Sequence, residues 1–152
     1  MPRPLTVARP HFRPAPGWHL GSTGEQTCVG VTRSRCVQAE AWASTVSYRD
    51  CPNCSPPPKT LAVLPPGGIV IQLSNARERP HYGPRGSWPP PRLRAPQVHG
   101  PFEGEPARIG VIQLTVRRRN NLEHFVFVWF GRAHPTPRQL ARATAELRTA
   151  RP

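Results

Sequence analysis

The sequence is short of acidic residues and almost devoid of lysine. Only eight of the 152 residues are Asp or Glu, against 21 Lys and Arg, and Lys59 is the single lysine. A formal net charge of +13 would suit nucleic acid or an anionic surface as partner. Arg, Pro, Ala and Gly are all abundant, however, which is the codon bias of a GC-rich genome. We attribute much of the charge to that bias and do not favour nucleic acid as the partner.

Long apolar runs are missing as well. No stretch approaches 18 apolar residues, so no transmembrane segment is predicted. The N-terminal stretch MPRPLTVARPHFRPAPGWH lacks the apolar core of a signal peptide, and we expect residues 1–11 to be disordered. Apolar residues make up 37% of the chain, which predicts a single β-rich domain with a thin core over residues 12–149.

Recognisable catalytic motifs are absent. The sequence contains no G-x-S-x-G, phosphate loop, dinucleotide fingerprint or HExxH. Glu103 and Glu105 in FEGEP are the one close carboxylate pair, and they could serve a cation or acid–base chemistry or lie in a solvated loop. His19 follows Trp18, where a packed aromatic pair is favoured over a ligand. We therefore predict a protein that is not an enzyme and needs no cofactor.

What the sequence does contain is a β-hairpin pattern near its C-terminus. Two β-type runs within residues 108–131 flank Asn120 and Asn121. Asn tolerates positive φ, which a tight two-residue hairpin turn needs at both central positions. We therefore predict antiparallel strands over residues 109–117 and 122–130. A two-residue turn fixes the register and places these pairs on one face: Val116 with Phe125, Leu114 with Phe127, and Ile112 with Trp129.

A helix is predicted directly after the hairpin, from about Pro137 to Arg148. Thr136 is a good N-cap, Pro137 suits the first helical position, and Gln139 completes a capping box. An apolar stripe at helical spacing should pack on the sheet; it consists of Leu140, Ala143, Thr144 and Leu147.

Short strands and long loops are predicted for the rest of the chain. TLAVLPPGGIVIQLS predicts an extended entry, a turn and a strand over residues 69–73, and short strands are predicted within the first 60 residues. PRLRAPQVHG could contain an edge strand. The predicted fold is mainly β (α+β): a single antiparallel sheet or open sandwich, with one C-terminal helix and long Pro/Arg-rich loops.

Five stretches occur in the order typical of one protein family: FRPAPGWH (12–19), AWAST (41–45), TLAVLPPGGIVIQL (60–73), FEGEP (102–106) and FVWFGRAHPTPRQLARATAEL (127–147). In this order the chain resembles an uncharacterised family of often membrane-anchored or exported actinobacterial proteins. Gly67 or Gly68 stands where that family commonly has Asp, and the family's anchor is not found here. The resemblance implies either a start upstream of Met1 or a lost export signal, and it implies no catalytic residue.

The four cysteines, Cys28, Cys36, Cys51 and Cys54, are candidates for disulfides or for a metal site. Only Cys51 and Cys54 have the spacing of a zinc knuckle, and the prolines at 56–58 are expected to prevent CPNCSPPPK from opening a redox-type helix. An even count in a Pro-rich domain with a thin core favours disulfides. Cys28–Cys36 would close a short loop, and Cys51 or Cys54 is the alternative partner, as in a Cys36–Cys51 bridge. Zinc and free thiols stay open.

Trp88 in GSWPPPR is the best candidate for an exposed contact residue, although it could instead cover the sheet edge. We predict a non-enzymatic binding or structural module of the cell envelope, with a protein or envelope component as partner. The alternative is a cytoplasmic basic protein that binds zinc or nucleic acid through the cysteine segment and the arginines. The first location requires a start upstream, and the second requires Met1 to be the true start.

Overall fold

The computed structural model describes residues 4–51, 54–78 and 85–152. Within them the chain forms one open antiparallel sheet in the order β1-β3-β4-β6-β5, with β2 also paired to β3. This confirms the predicted mainly-β class with a C-terminal helix. The elements, in chain order, are β1 (His19–Ser22), β2 (Gln26–Thr27), β3 (Cys36–Ser44), α1 (Pro58–Ala62), β4 (Ile69–Glu78), β5 (Gly110–Arg117), β6 (Leu122–Phe130) and α2 (Pro137–Thr149).

The predicted hairpin is present, but its register differs from the prediction by one residue. Asn120 and Asn121 have φ of 59° and 61° and form the expected turn, with the Leu122 N–H donating to the Arg119 carbonyl. The Arg118 N–H also donates to the Leu122 carbonyl, at 2.7 Å, so two arginines lie opposite one leucine in a β-bulge. Val116 therefore pairs with His124 rather than with Phe125. Leu114 and Phe127 consequently point to opposite faces of the sheet.

Helix α2 packs on one face of the sheet, called here the helix face. Its capping box forms as predicted, because the Gln139 N–H donates to the Thr136 hydroxyl at 3.1 Å and the Thr136 N–H donates to the Gln139 side chain at 3.0 Å. The whole predicted stripe of α2 is buried. It packs on a core contributed by the central strands, which includes Ala41, Ala43, Ile71, Leu73, Ile112, Val126 and Val128.

The first residues of the chain also pack on the helix face. Residues 4–11 lie within the segment that was expected to be disordered, yet Leu5 and Val7 are buried against Val37 and Ala39. Hydrogen bonds fix the backbone here, since the Asn75 side chain donates to the Ala8 carbonyl at 3.1 Å. The sequence pattern is too short to show this packing, because only two apolar side chains contribute.

The opposite face of the sheet, called here the groove face, is covered at one end by the segment that contains helix α1. Leu61 and Leu64 pack there on Val70, Val111 and Trp129. Helix α1 was not predicted, because the prolines before it were expected to block a helix. Pro58 occupies an initial helical position, where its missing N–H costs nothing. Neither helix of the described residues is long and apolar enough to cross a membrane.

The edge strand expected in PRLRAPQVHG does not form. Ala95–Gln97 is a single turn of 3-10 helix, and His99 makes one antiparallel bridge to Val111 of β5. Strand β4 is longer than predicted and continues to Glu78, since it pairs along its length with both β3 and β6.

Candidate functional site

The four cysteines form two disulfides. Cys28 bonds to Cys36 and Cys51 bonds to Cys54, with Cα–Cα distances of 5.4 and 5.2 Å. The Cys36–Cys51 bridge that the sequence left open is therefore not formed, because each cysteine pairs with its nearest neighbour in the chain. A zinc site built from the four thiolates does not fit this pairing, since every sulfur is already bonded to another.

Cys54 and Tyr48 lie over the centre of the groove face. The Gln72 amide donates to the Cys54 carbonyl at 2.6 Å and to the Tyr48 hydroxyl at 2.7 Å. Tyr48 stacks on Trp42, with ring centroids 4.2 Å apart. Trp42 in turn lies flat over Gly21, where a Cβ atom would overlap its indole ring. The Cys51–Cys54 disulfide therefore helps to hold these groove-face side chains in place. It does not lie at the start of a helix, as a thioredoxin-like redox centre does.

Trp88, the best candidate in the sequence for an exposed contact residue, is half-buried and packs on the helix-face core. Its indole N–H donates to the Ala150 carbonyl at 3.3 Å. Its ring meets His124 edge-on, with centroids 5.1 Å apart. The alternative interpretation, a residue that covers the sheet, describes Trp88 better.

Glu105 has a structural task. One of its carboxylate oxygens accepts the Trp129 indole N–H and the other accepts the Phe102 N–H, both at 2.7 Å. Glu103 is exposed. The two carboxylates of FEGEP therefore differ, because Glu105 holds Phe102 and Trp129 in place and Glu103 faces solvent. His19 is also exposed, on the opposite edge of the sheet.

Strand β5 leaves an open edge of the sheet. At its two ends the outward-facing backbone groups are occupied, since Val111 exchanges two hydrogen bonds with His99 and the Arg117 carbonyl accepts the Gly86 N–H at 2.7 Å. In an antiparallel edge strand, every second residue directs its backbone N–H and C=O groups away from the sheet. Between the two occupied ends, Gln113 and Thr115 therefore direct these groups outward. Among the described residues, no group bonds to their N–H and C=O groups. Within the described residues, these four backbone groups form the open edge of the sheet.

An aromatic groove adjoins the open edge on the groove face. It is a cavity of about 250 Å³, lined by Ser55, Pro56, Phe102, Glu105, Gln113, Phe127 and Trp129. Phe127 stacks on Trp129 at 5.4 Å between ring centroids, and Phe102 meets Phe127 edge-on at 6.1 Å. Phe102 is 40% exposed, which is a high exposure for a large apolar side chain. A second cavity of about 370 Å³, which includes Thr115 and Arg117, lies at the far end of the open edge.

Burial perturbs two acidic groups on the groove face. It raises the pKa of Glu40 to about 7, because the carboxylate is desolvated and one of its oxygens has no hydrogen-bond partner among the described residues. Burial also raises the pKa of Tyr48 above its usual range. For Tyr48, the negative charges of Asp50 and Glu40 act in the same direction as burial, and the hydrogen bond from Gln72 opposes it.

Sequence reasoning missed the groove because its parts are far apart in the chain. Phe102 and Pro56 were placed in loops, and Phe127 was assigned to the buried face through the incorrect register. One short stretch of the sequence, FEGEP, points to the groove, because it contains both the exposed Phe102 and Glu105, which holds the groove together. Comparison with protein-family models, curated proteins and solved structures finds no match. The resemblance to the actinobacterial family stays an expectation from motif order.

Proposed function

We propose that this protein is a non-enzymatic binding module that captures an extended segment of a partner protein along the open edge of β5. The open edge carries this proposal: Gln113 and Thr115 present backbone donors and acceptors that no described residue pairs, next to an aromatic groove. Strand addition uses such an edge for affinity and the adjoining pockets for specificity. The bound segment would place every second side chain on the groove face, against Phe102 and Phe127.

The partner segment should be acidic and should carry a bulky apolar residue. The net charge of +13 disfavours a second copy of this chain as the occupant, because two such chains repel each other. Arg85 lines the cavity at the far end of the open edge and would stabilise an acidic side chain there, beside Arg117, which is paired with Glu123. The apolar residue would enter the aromatic groove.

The two disulfides support a location outside the reducing cytoplasm, in the cell envelope or beyond it. Small domains with thin cores commonly depend on such bridges. The zinc-binding alternative loses its support because the cysteines are paired.

Removal of one backbone N–H donor tests the open edge. Thr115→Pro removes an outward N–H without disturbing the bonds to β6, whereas Thr115→Ala shortens the side chain and retains the N–H. Random linear peptides selected on the wild-type protein should bind Thr115→Ala equally well and Thr115→Pro about tenfold more weakly. Circular dichroism checks that both variants fold. Equal binding to Thr115→Pro would overturn strand addition.

A second pair of variants tests the aromatic groove. Phe102→Ala should remove the preference of the selected peptides for a bulky apolar residue. Val63→Ala removes another exposed apolar side chain and should leave that preference unchanged. Sedimentation of the free protein tests the remaining occupant, since self-association that Thr115→Pro abolishes would assign the edge to a second copy.

A further inference from the structure

A cavity of about 540 Å³ opens at the tip of the β5–β6 hairpin. Four arginines from separate parts of the chain line it: Arg77 at the end of β4, Arg85, and Arg118 with Arg119 at the turn. It shares no residue with the aromatic groove and adjoins the cavity at the far end of the open edge through Arg85. We infer that this arginine cavity binds a small anion that carries a phosphate or sulfate group.

The turn conformation brings two of the arginines together. In a regular two-residue turn, Arg119 alone would face Leu122, and Arg118 would follow on the opposite side of the strand. The bulge instead sets both residues opposite Leu122. The backbone reaches this arrangement through two consecutive asparagines with positive φ, a conformation that few other residue types tolerate. Both guanidinium groups therefore line one cavity.

Arg77 is held in place before any ligand arrives. Its Nε donates to the Thr6 carbonyl at 2.9 Å, and its Nη1 donates to the Asn120 carbonyl. These bonds tie the guanidinium to the N-terminal segment on one side and to the hairpin turn on the other. A preorganised guanidinium loses little conformational entropy when it binds an anion.

Positive charge dominates the lining of this cavity. None of the described lining residues is acidic, and the described ion pairs, Arg33–Glu25 and Arg117–Glu123, lie outside it. Several like charges in one concave site repel each other and concentrate positive potential there. A bound multivalent anion would relieve that repulsion.

Guanidinium chemistry and cavity size define the ligand class. The planar fork of arginine matches the oxygens of a phosphate or sulfate group with two parallel hydrogen bonds. The volume lies within the usual range of small-molecule sites and exceeds what one inorganic ion would fill. The ligand is therefore a phosphorylated or sulfated molecule, either free in solution or a lipid headgroup.

Inorganic pyrophosphate is a suitable probe, titrated calorimetrically at constant ionic strength. The double variant Arg118→Gln, Arg119→Gln removes two lining charges and retains the backbone bonds of the turn. The matched control, Arg92→Gln with Arg148→Gln, removes two exposed charges elsewhere. Wild type and control should bind equally within about twofold, and the cavity variant should bind at least about tenfold more weakly. Amide shifts should concentrate at Asn120 and Leu122.

Two results would overturn the inference: absence of pyrophosphate binding to the wild type, or an equal loss of affinity in both double variants, which would indicate general charge attraction. Thr115→Pro should retain pyrophosphate binding, so this site can fail or succeed independently of the open edge. Vesicles of phosphatidylcholine with or without phosphatidic acid identify the source of the ligand. Sedimentation with the acidic vesicles that depends on Arg118 and Arg119 assigns a headgroup, and its absence alongside pyrophosphate binding assigns a soluble anion.

Discussion

His124 Nδ1 lies 2.8 Å from the side-chain oxygen of Asn75, between two neighbouring strands and fully buried. Since the Asn75 amide nitrogen donates to the Ala8 carbonyl, its oxygen must accept, and His124 carries its proton on Nδ1. The other ring nitrogen has no hydrogen-bond partner among the described residues. Neutral His124 thus links β6 and β4 to the N-terminal segment, and a second proton on its ring would be buried without a partner.

This relationship predicts a loss of stability in acid. Burial, with a smaller contribution from Arg118, lowers the pKa of His124 to about 4, from an ordinary value of 6.5. Between these values the unfolded chain binds more protons than the folded one, so the stabilisation is present above pH 6.5 and is lost as the pH falls towards 4. His124→Gln should be less stable than the wild type at neutral pH, and this difference in urea midpoint should shrink as the pH falls from 6.5 towards 4. An unchanged pH slope in this variant would contradict the prediction.

Glu40 predicts the opposite dependence. The folded-state pKa of about 7 exceeds the ordinary 4.5, so the folded chain binds more protons between those values, and stability falls as the pH rises through them. Buried Glu146 has a raised pKa and acts in the same direction. Glu40→Gln cannot ionise and should raise the urea midpoint at pH 8, with little effect near pH 4. The exposed Glu78→Gln serves as the control for charge. A lower midpoint for Glu40→Gln at pH 8 would refute this.

The two effects overlap between pH 4.5 and 6.5, where His124 and Glu40 act in opposite directions. The two substitutions should therefore change the pH dependence of the wild-type stability in opposite directions over that interval. Each substitution reveals the contribution of the other residue.

Helix α2 could be predicted from the sequence because its capping box involves two residues close together in the chain, Thr136 and Gln139. The register of the hairpin was out of reach, because β6 is apolar on both faces and its pairing with β4 and β5 decides which residues face the helix. The aromatic groove was missed for the same reason, since Phe102 reaches Phe127 only through that pairing. Trp88 shows a further limit of prediction from sequence. Its proline-rich neighbourhood does not indicate that the side chain packs on His124, which is distant in the chain.

Gly131, directly after β6, lies where the structure leaves no room for a side chain. A Cβ atom there would overlap the Pro65 carbonyl oxygen, which belongs to backbone and cannot move aside cheaply. Gly131→Ala should therefore cost about 1–3 kcal/mol of unfolding free energy. Gly67→Ala is the matched control, because a Cβ atom at that position meets no atom within 4 Å. Chemical denaturation of both variants measures the difference, and equal stabilities would show that the turn before β4 adapts to the methyl group.

The disulfides predict a stability that depends on oxidation. In the chain-entropy account, a bridge such as Cys28–Cys36, at a sequence separation of 8, contributes about 2.5 kcal/mol, and the shorter Cys51–Cys54 loop contributes about 2 kcal/mol. Paired Ser substitutions at each bridge should lower the unfolding free energy by these amounts. Dithiothreitol should reduce the stability of the wild type by about their sum and leave the variant without cysteines unchanged.

Intact mass under non-reducing conditions, with a zinc assay on the same sample, checks the chemical state on which that prediction depends. Material recovered from an oxidising compartment should have lost two hydrogens for each of the two bridges and should contain no stoichiometric zinc. Peptide mapping should recover Cys28 with Cys36 and Cys51 with Cys54, in separate fragments. Four free thiols in such material, or one zinc ion per chain, would refute the paired arrangement. The zinc result would also remove the main support for a location in the cell envelope, because that location follows from bridges that a reducing cytoplasm would not maintain.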